Sequence, residues 1–370
     1  MTINNKAYIT ATSVSCCAGN CESELFTNIC QSNSGIETDT AYFNNTPAAI
    51  GKIQSKLDFF DNLMSKCDEV LQKSDLDNFN NTLLIIGSSV GGINITENIY
   101  FQEGNYKNID SNYHNINTIQ NILEEKYTFK DGISFSTACT SSANALGYAY
   151  EVIKKGIYEN VLVIGVDALS QTTVGGFLSL GVLSSSPCKP FDINREGMNV
   201  SEGIACLLIQ AVATENSVEL CGVGYSSDAY HMTHPHPDGL GAKKAMENAL
   251  LSANITKEQI EYINAHGTGT GANDEAEAKA IESLFGKNSY VSSTKSITGH
   301  TLGAAGALEA IIGKLVLENQ MIPSNSFLET VENQNINLTT KNIEQNVNYV
   351  MSNSFAFGGN NCSLIFGKVQ

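Results

Sequence analysis

The chain has no run of lysines and arginines: 21 basic residues stand against 38 acidic ones over 370 positions, a formal charge of −17. Without a basic stretch to neutralise phosphates it is not expected to bind nucleic acid, and an anionic membrane surface is an equally poor partner. No apolar run reaches the length needed to cross a bilayer. The opening Met1-Thr-Ile-Asn-Asn-Lys-Ala-Tyr-Ile-Thr has neither a basic start with an apolar core nor a cleavage signature. The ten cysteines (16, 17, 21, 30, 67, 139, 188, 206, 221 and 362) follow no disulfide-framework spacing. That suits a reducing compartment, and a cytoplasmic location is the default expectation. Cys16, Cys17 and Cys21 lie close together, but no matching Cys/His group stands nearby, so they read as packing residues rather than zinc ligands. The glycines between Gly87 and Gly92 lack the G-x-G-x-x-G spacing and the acidic strand end of a dinucleotide site.

What is present describes a heavily buried α/β enzyme: 42% apolar and only 16% charged residues in a chain long enough for two packed halves. Residues 6–14, Leu83-Leu-Ile-Ile-Gly87, Asn160-Val-Leu-Val-Ile-Gly-Val166, Ile204-Ala-Cys-Leu-Leu-Ile209 and Val218 to Val223 read as strands. Continuous apolar runs of this kind suit strands covered on both faces. Helices are predicted around 22–30, 58–71 and 116–126; residues 103–117 read as a loop and 170–186 as turn chemistry throughout. The polar stretch 210–217 is the candidate boundary, and the second half then repeats the order of elements in the first. Glu261-Tyr-Ile-Asn-Ala265 answers 83–92, Ser289-Tyr-Val-Ser-Ser-Thr294 with the helix of Leu308 and Ile311 answers the strand and helix around Cys139, and Asn361-Cys-Ser-Leu-Ile-Phe366 answers 204–209. Such duplication implies pseudo-twofold symmetry, with a site where corresponding helix starts converge.

The stretch Gly132-Ile-Ser-Phe-Ser-Thr-Ala-Cys139-Thr-Ser-Ser-Ala carries an apolar strand into small residues and then a helix with Ala143, Leu146, Tyr150 and Ile153 on one face. A cysteine at a helix start faces unpaired N–H groups and the positive end of the dipole, a field that favours the nucleophilic thiolate. A buried structural cysteine is the alternative. Two of the six histidines stand in corresponding places in the second half. His266 precedes Gly-Thr-Gly-Thr, and His300 ends Thr294-Lys295-Ser-Ile-Thr-Gly-His. The cluster His231-Met-Thr-His234-Pro-His236-Pro has metal-like spacing but neither an acidic nor a cysteine partner close by, and reads as a loop.

Taken in order, Thr137-Ala-Cys139-Thr-Ser, Pro190-Phe-Asp with Arg195 and Glu202-Gly203, Ser226-Ser-Asp-Ala-Tyr-His231-Met-Thr233, Asn264-Ala-His266-Gly-Thr268-Gly-Thr270, Thr294-Lys295-Ser-Ile-Thr-Gly-His300 and Asn353-Ser-Phe355-Ala-Phe357-Gly-Gly359 resemble the motifs of a β-ketoacyl-[acyl carrier protein] synthase of the elongating, two-histidine type, within the thiolase superfamily. The resemblance covers nearly the whole chain. It implies a thiolase-like fold, two pseudo-symmetric βα halves (1–212 and 213–370) in a five-layered αβαβα sandwich. It also implies a decarboxylative Claisen condensation, in which Cys139 takes the acyl group as a thioester. His266 and His300 would stabilise the enolate of the malonyl unit. The backbone N–H groups of Cys139 and Phe357 would form the oxyanion hole. Lys295 would be the active-site lysine with Glu277 as its carboxylate partner, a pair that is otherwise structural. Thr268 and Thr270 would bind the phosphopantetheine arm, and Phe355 and Phe357 would belong to the loop that gates the acyl pocket, with the loop after Asp228.

No cofactor or metal is implied; the substrates ride on the 4'-phosphopantetheine of acyl carrier protein. The enzyme would act as a homodimer or with a ketosynthase-like subunit. A non-catalytic chain-length-factor type of partner is the alternative, against which the intact cysteine, histidines and lysine speak. A thiolase or acyl hydrolase is disfavoured by the histidine pair. The chain departs from the family within 95–130, which is Asn/Tyr-rich and matches no motif, and at Ala356-Phe-Gly-Gly-Asn360-Asn361, where Gly-Phe-Gly-Gly-Thr-Asn is usual. Both departures fit a specialised synthase, such as one making polyenes, as well as a fatty-acid enzyme.

Overall fold

The computed structural model describes residues 5–43 and 46–369. The unbroken apolar runs form strands hidden on both faces. β1 (Ala7–Cys16) is followed by α1 (Glu22–Gln31), the hairpin of β2 (Ile36–Phe43) and β3 (Thr46–Gly51), and α2 (Phe59–Lys73), whose N-cap Asp58 accepts from the Phe60 and Asp61 N–H groups. β4 (Thr82–Gly87) lies between β5 (Asp131–Phe135) and β6 (Asn160–Asp167), parallel to both; β6 turns antiparallel to β7 (Gly203–Gln210), which pairs with β1.

The second half-sheet repeats this pattern. β9 (Tyr262–Asn264) lies parallel between β10 (Tyr290–Ser292) and β14 (Tyr349–Phe355). β14 is antiparallel to β15 (Asn360–Lys368), which pairs with β8 (Val218–Ser227). A two-residue strand β12 (Asn337–Leu338) extends the β10 edge, and β11 (Met321–Ile322) pairs separately with β13 (Ile343–Glu344). The half-sheets meet where Ala7, Tyr8 and Ile9 pair with Leu220, Glu219 and Val218, so the strand order reads symmetrically outward from β1 and β8.

Two helices fill the space between the half-sheets. α5 (Ser141–Lys154) and α10 (Ala305–Asn319) put Leu146, Ala149, Leu308 and Ile311 into one core with Val163 and Leu207 of the first half and Val350 and Leu364 of the second. α10 is buried all round from Ala305 to Leu317, as a helix with apolar neighbours on every side must be. α10 packs close against α5 and against β6 because small residues meet there: a Cβ on Gly306 would lie 2.6 Å from the Ala143 nitrogen of α5, and one on Gly165 of β6 would lie 2.6 Å from the Ala307 Cβ. α2 covers the outer face of the first half-sheet with Leu63, Cys67 and Val70, while α7 (Leu240–Ala253) and α8 (Gly271–Leu284) cover the second with Met246, Ala249 and Ile281. The layers therefore run αβαβα, the thiolase-like sandwich.

The local readings fail in two places. The stretch 170–186 is not turn throughout but contains α6 (Gln171–Ser179). Ser170 accepts from the Thr173 N–H, and the carboxylate of Glu97 accepts from the Gln171 and Thr172 N–H groups at 2.8 and 2.7 Å. A remote carboxylate thus satisfies the first turn of a glycine-containing helix. Glu97 itself lies on α3 (Ile93–Glu103), an unexpected helix that buries only Thr96 and so shows little apolar periodicity. A 3₁₀ turn at Ser111–His114 and the helix α4 (Asn117–Glu124), anchored by Ile119 and Leu123, complete this segment.

Candidate active site

Cys139 sits in the tight bend between β5 and α5. Ala138 adopts a left-handed backbone (φ 53°), and the bend is pinned from several sides. Ser141 Oγ accepts from the Thr137 N–H at 2.9 Å and donates to the Ala138 carbonyl at 2.6 Å, and Ser89 Oγ donates to the same carbonyl at 2.8 Å. The helix opens at Ser141, two residues past the sulfur, as its periodicity predicts.

The equivalent turns of the second half bring two imidazoles to the sulfur. His300 Nε2 lies 3.0 Å from Cys139 Sγ. The His266 and His300 rings stand 5.3 Å apart and nearly perpendicular, at 86°. His300 is held by its own backbone: its N–H donates to the Asn199 carbonyl at 2.7 Å and its carbonyl accepts from the Ser201 N–H at 3.0 Å. Behind the histidines, Lys295 forms an ion pair with Glu309, both almost wholly buried.

This geometry corrects the expected partner of Lys295. Glu277 instead accepts the backbone N–H groups of His266 and Gly267, each at 2.8 Å, and the Asn353 amide at 3.2 Å. Its carboxylate is the cap that shapes the turn carrying His266, while the lysine finds Glu309 on α10, where no motif marked it. Burial raises the Glu277 carboxyl to about 7 despite those donors. Asp167, at the end of β6, was also missed. It accepts Ser88 Oγ and the N–H groups of Ser89, Val90 and Gly303, tying the turn after β4 to the turn after His300. The unusual Asn360 has a visible task too: its Oδ1 accepts from Thr140 Oγ1 at 2.8 Å and Asn144 Nδ2 at 2.9 Å, joining the Phe357 loop to the start of α5.

Electrostatics sets the protonation states. Burial, then the Lys295 ammonium, hold both imidazoles well below the ordinary histidine range, His300 adding to the effect on His266. Both are neutral at physiological pH. The thiol is not the resting thiolate that the helix start suggests. Burial pushes Cys139 up to about 11, outweighing the lowering by Lys295 and by the N–H groups of Phe357 and Cys139 that face the sulfur. The rate of alkylation by iodoacetamide is therefore expected to keep rising, about tenfold per pH unit, from about pH 7 to pH 10. A plateau below about pH 8, followed by the alkylated mass, would show a resting thiolate instead.

A cavity of about 310 Å³ opens on the sulfur. Cys139, His266, His300, Thr268, Thr270, Phe355 and Phe357 all line it, with Phe177, Leu180 and Met198 supplying apolar wall. Lys295 and Glu277 stand behind it, buried. Thr268 and Thr270 hydroxyls lie 2.9 Å apart. Phe355 approaches the His266 ring (6.1 Å between centroids), and Phe357 faces Phe177 (6.3 Å). Gly358 and Gly359 turn the loop with φ of 85° and 79°, and a Cβ on Gly359 would lie 1.7 Å from the Asp228 carbonyl oxygen. Cys139, His266 and His300 place their donor atoms within 4.8 Å of one another, the one such group of three among the described residues, yet the Lys295 charge that acts on each of them opposes a cation there.

Residues 63–214 match the family model "Beta-ketoacyl synthase, N-terminal domain" and residues 218–329 match "Beta-ketoacyl synthase, C-terminal domain". The 3-oxoacyl-[acyl-carrier-protein] synthase 2 of Coxiella burnetii is 37% identical over 273 residues, 69% of this chain and 66% of that protein. The enzyme of the same name from Vibrio harveyi is 36% identical over 311 residues, 77% of this chain and 74% of that one. Among solved structures, a chain of the complex between the ketosynthase ApeO and its chain length factor ApeC from Xenorhabdus doucetiae superposes with a TM-score of 0.87 at 31% identity, covering 99% of this chain and 98% of that one. A β-ketoacyl synthase from Burkholderia phymatum gives a TM-score of 0.87 at 27% identity, covering 99% and 100%.

Proposed function

The chain belongs to the β-ketoacyl synthase family, and from that premise we propose that it catalyses elongating, decarboxylative condensation of an acyl group with malonyl-acyl carrier protein. Cys139 Sγ attacks the acyl thioester; the carrier's thiol leaves with the cysteine proton, and the acyl group stays on the sulfur. A malonyl thioester then loses carbon dioxide, and the electron pair of the broken bond becomes an enolate on its thioester oxygen. His266 and His300, neutral and donating N–H groups, stabilise that oxygen. The enolate carbon attacks the acyl-Cys139 carbonyl, whose oxyanion takes the N–H groups of Cys139 and Phe357. Collapse expels the Cys139 thiolate, which takes a proton from solvent to return to the thiol, and frees the 3-oxoacyl carrier. Burial first, and then Lys295 held by Glu309, keep both imidazoles neutral. Glu277 holds the His266 turn, Thr268 and Thr270 take the phosphopantetheine arm, and Phe355 and Phe357 gate the acyl side.

The observation that carries this reading is the 3.0 Å contact of His300 Nε2 with Cys139 Sγ beside a second buried, neutral imidazole. The two functional halves are 1–212 and 213–370. The acyl carrier protein is the substrate-bearing partner, and the enzyme works in the cytoplasm as a homodimer or with a ketosynthase-like subunit; that ApeO is paired with a chain length factor supports the second arrangement. The pathway we favour is a specialised one, such as polyene synthesis, since 95–130 and Asn360 depart from the usual pattern. Incubation with a panel of acyl-carrier thioesters should add the acyl mass to Cys139, and addition of malonyl-acyl carrier protein should discharge it as 3-oxoacyl carrier with carbon dioxide. Discharge without carbon dioxide, or as free acid, would reject condensation.

A further inference from the structure

The loop between β8 and α7 holds an imidazole pair that the condensation does not use. His231 Nδ1 and His234 Nδ1 lie 3.1 Å apart, with their rings 4.9 Å apart at 65°. Thr233 Oγ1 completes a triangle, 3.0 Å from His234 Nδ1 and 3.3 Å from His231 Nδ1, and the Thr233 N–H points at His231 Nδ1 from 3.2 Å. Both histidines are exposed, and all three residues line the mouth of the cavity above Cys139. The third histidine of the motif stands apart: His236 packs its ring against Tyr230 and gives its N–H to Asp228.

Two imidazole nitrogens this close share one proton or share a cation, and for a cation the Thr233 N–H that faces His231 Nδ1 must give way. A tetrahedral ion with Zn–N bonds of about 2.0–2.1 Å spaces its ligands by about 3.3 Å, close to the separations observed. We propose that His231 Nδ1 and His234 Nδ1 form an open, two-imidazole site for a divalent transition metal of the zinc, nickel and copper class, with Thr233 Oγ1 alongside and water completing the shell. The sequence hides the site because it offers neither carboxylate nor thiolate at metal spacing; the turn at Thr233 brings the nitrogens together.

The site has a mechanical consequence. The Met232 carbonyl, inside the turn the ion would close, accepts the Gly358 N–H at 2.8 Å, and the Asp228 N–H donates to the Gly359 carbonyl at 2.6 Å. An ion joining His231 to His234 fixes the turn that braces the Phe357 loop. The inference is independent of the condensation reading, because binding is measured in chains that cannot condense.

The test must remove the competing Cys139–His266–His300 group. Calorimetric titration of Cys139→Ala with Zn²⁺ and with Ni²⁺ should give one ion per chain, and Cu²⁺ should show nitrogen couplings from two imidazoles by electron paramagnetic resonance. In Cys139→Ala/His234→Ala, checked for an unchanged circular dichroism spectrum, affinity should fall by about tenfold or more. If Cys139→Ala takes up no ion, the pair is a plain N–H···N hydrogen bond. Unchanged affinity in the double variant would equally overturn the site.

Discussion

Cys139→Ala is expected to lose acyl-enzyme formation and condensation by at least about four orders of magnitude, with its unfolding midpoint nearly unchanged. The substitution removes one sulfur that faces a cavity and leaves the bend intact, because that bend is held by Ser141, Ser89 and Thr137 rather than by the thiol. Cys139→Ser should fare no better. The pocket already pushes a thiol up to about 11, and a hydroxyl, intrinsically harder to ionise, meets the same burial with no additional base. Intact-mass spectrometry after exposure to acyl-carrier thioesters reads the first step, and product assay reads the second. Condensation that survives in Cys139→Ala would remove the nucleophile from the mechanism altogether.

The buried ion pair sets up the other large effect. Lys295→Met leaves the Glu309 carboxylate alone in the core, a loss of about 3–5 kcal/mol. Lys295→Met/Glu309→Leu removes both charges and should recover most of that stability, while activity stays down by about 10²–10³-fold. A merely structural pair would recover both together. The single variant carries a pH signature. Burial raises the Glu309 carboxyl above its ordinary value, so without the lysine the folded chain holds a proton that the unfolded chain releases. Its stability therefore falls as pH rises, and its deficit is larger at pH 8 than at pH 5. In the double variant the imidazoles lose the positive neighbour that lowers them, although burial, the larger cause, remains. The acid limb of residual activity should move to higher pH. Denaturant titration and pH–rate profiles measure both, and a double variant with wild-type turnover would show that Lys295 only fills space.

Much of the fold could be read from apolar runs too long and too uniform to face water. β4, β6 and β7 are such runs, and the repeat of strand, turn and helix start predicted which turns would face one another. Cys139 and His266 were legible because each follows a strand end and stands beside small residues, whereas His300 lies past the short helix after β10 and was legible only through its motif. Partner choice was not. Glu277 stands eleven residues after His266, within reach of the backbone it caps, whereas Glu309 meets Lys295 only because α9 (Lys295–Thr298) ends in a turn that returns the chain along α10. α6 was invisible for a related reason, since the groups that satisfy its first turn come from Glu97 on another helix. The thiolate expectation failed on magnitude: the dipole and the lysine act in the direction inferred, and burial acts more strongly the other way.

The seam between α5 and α10 has a consequence for how such a chain can change over time. Gly306 has no room for a side chain because Ala143 of the other half occupies the space, and on the neighbouring strand β6 Gly165 is bound in the same way to Ala307 of α10. Bulk gained on one side must be given up on the other, so the halves are inherited as a matched set although each has the parts of a separate unit. Chimeras that graft one half onto a relative's other half are constrained at these contacts before chemistry is considered. They call for the residues of α5 and β6 that face α10 to be exchanged together with those of α10.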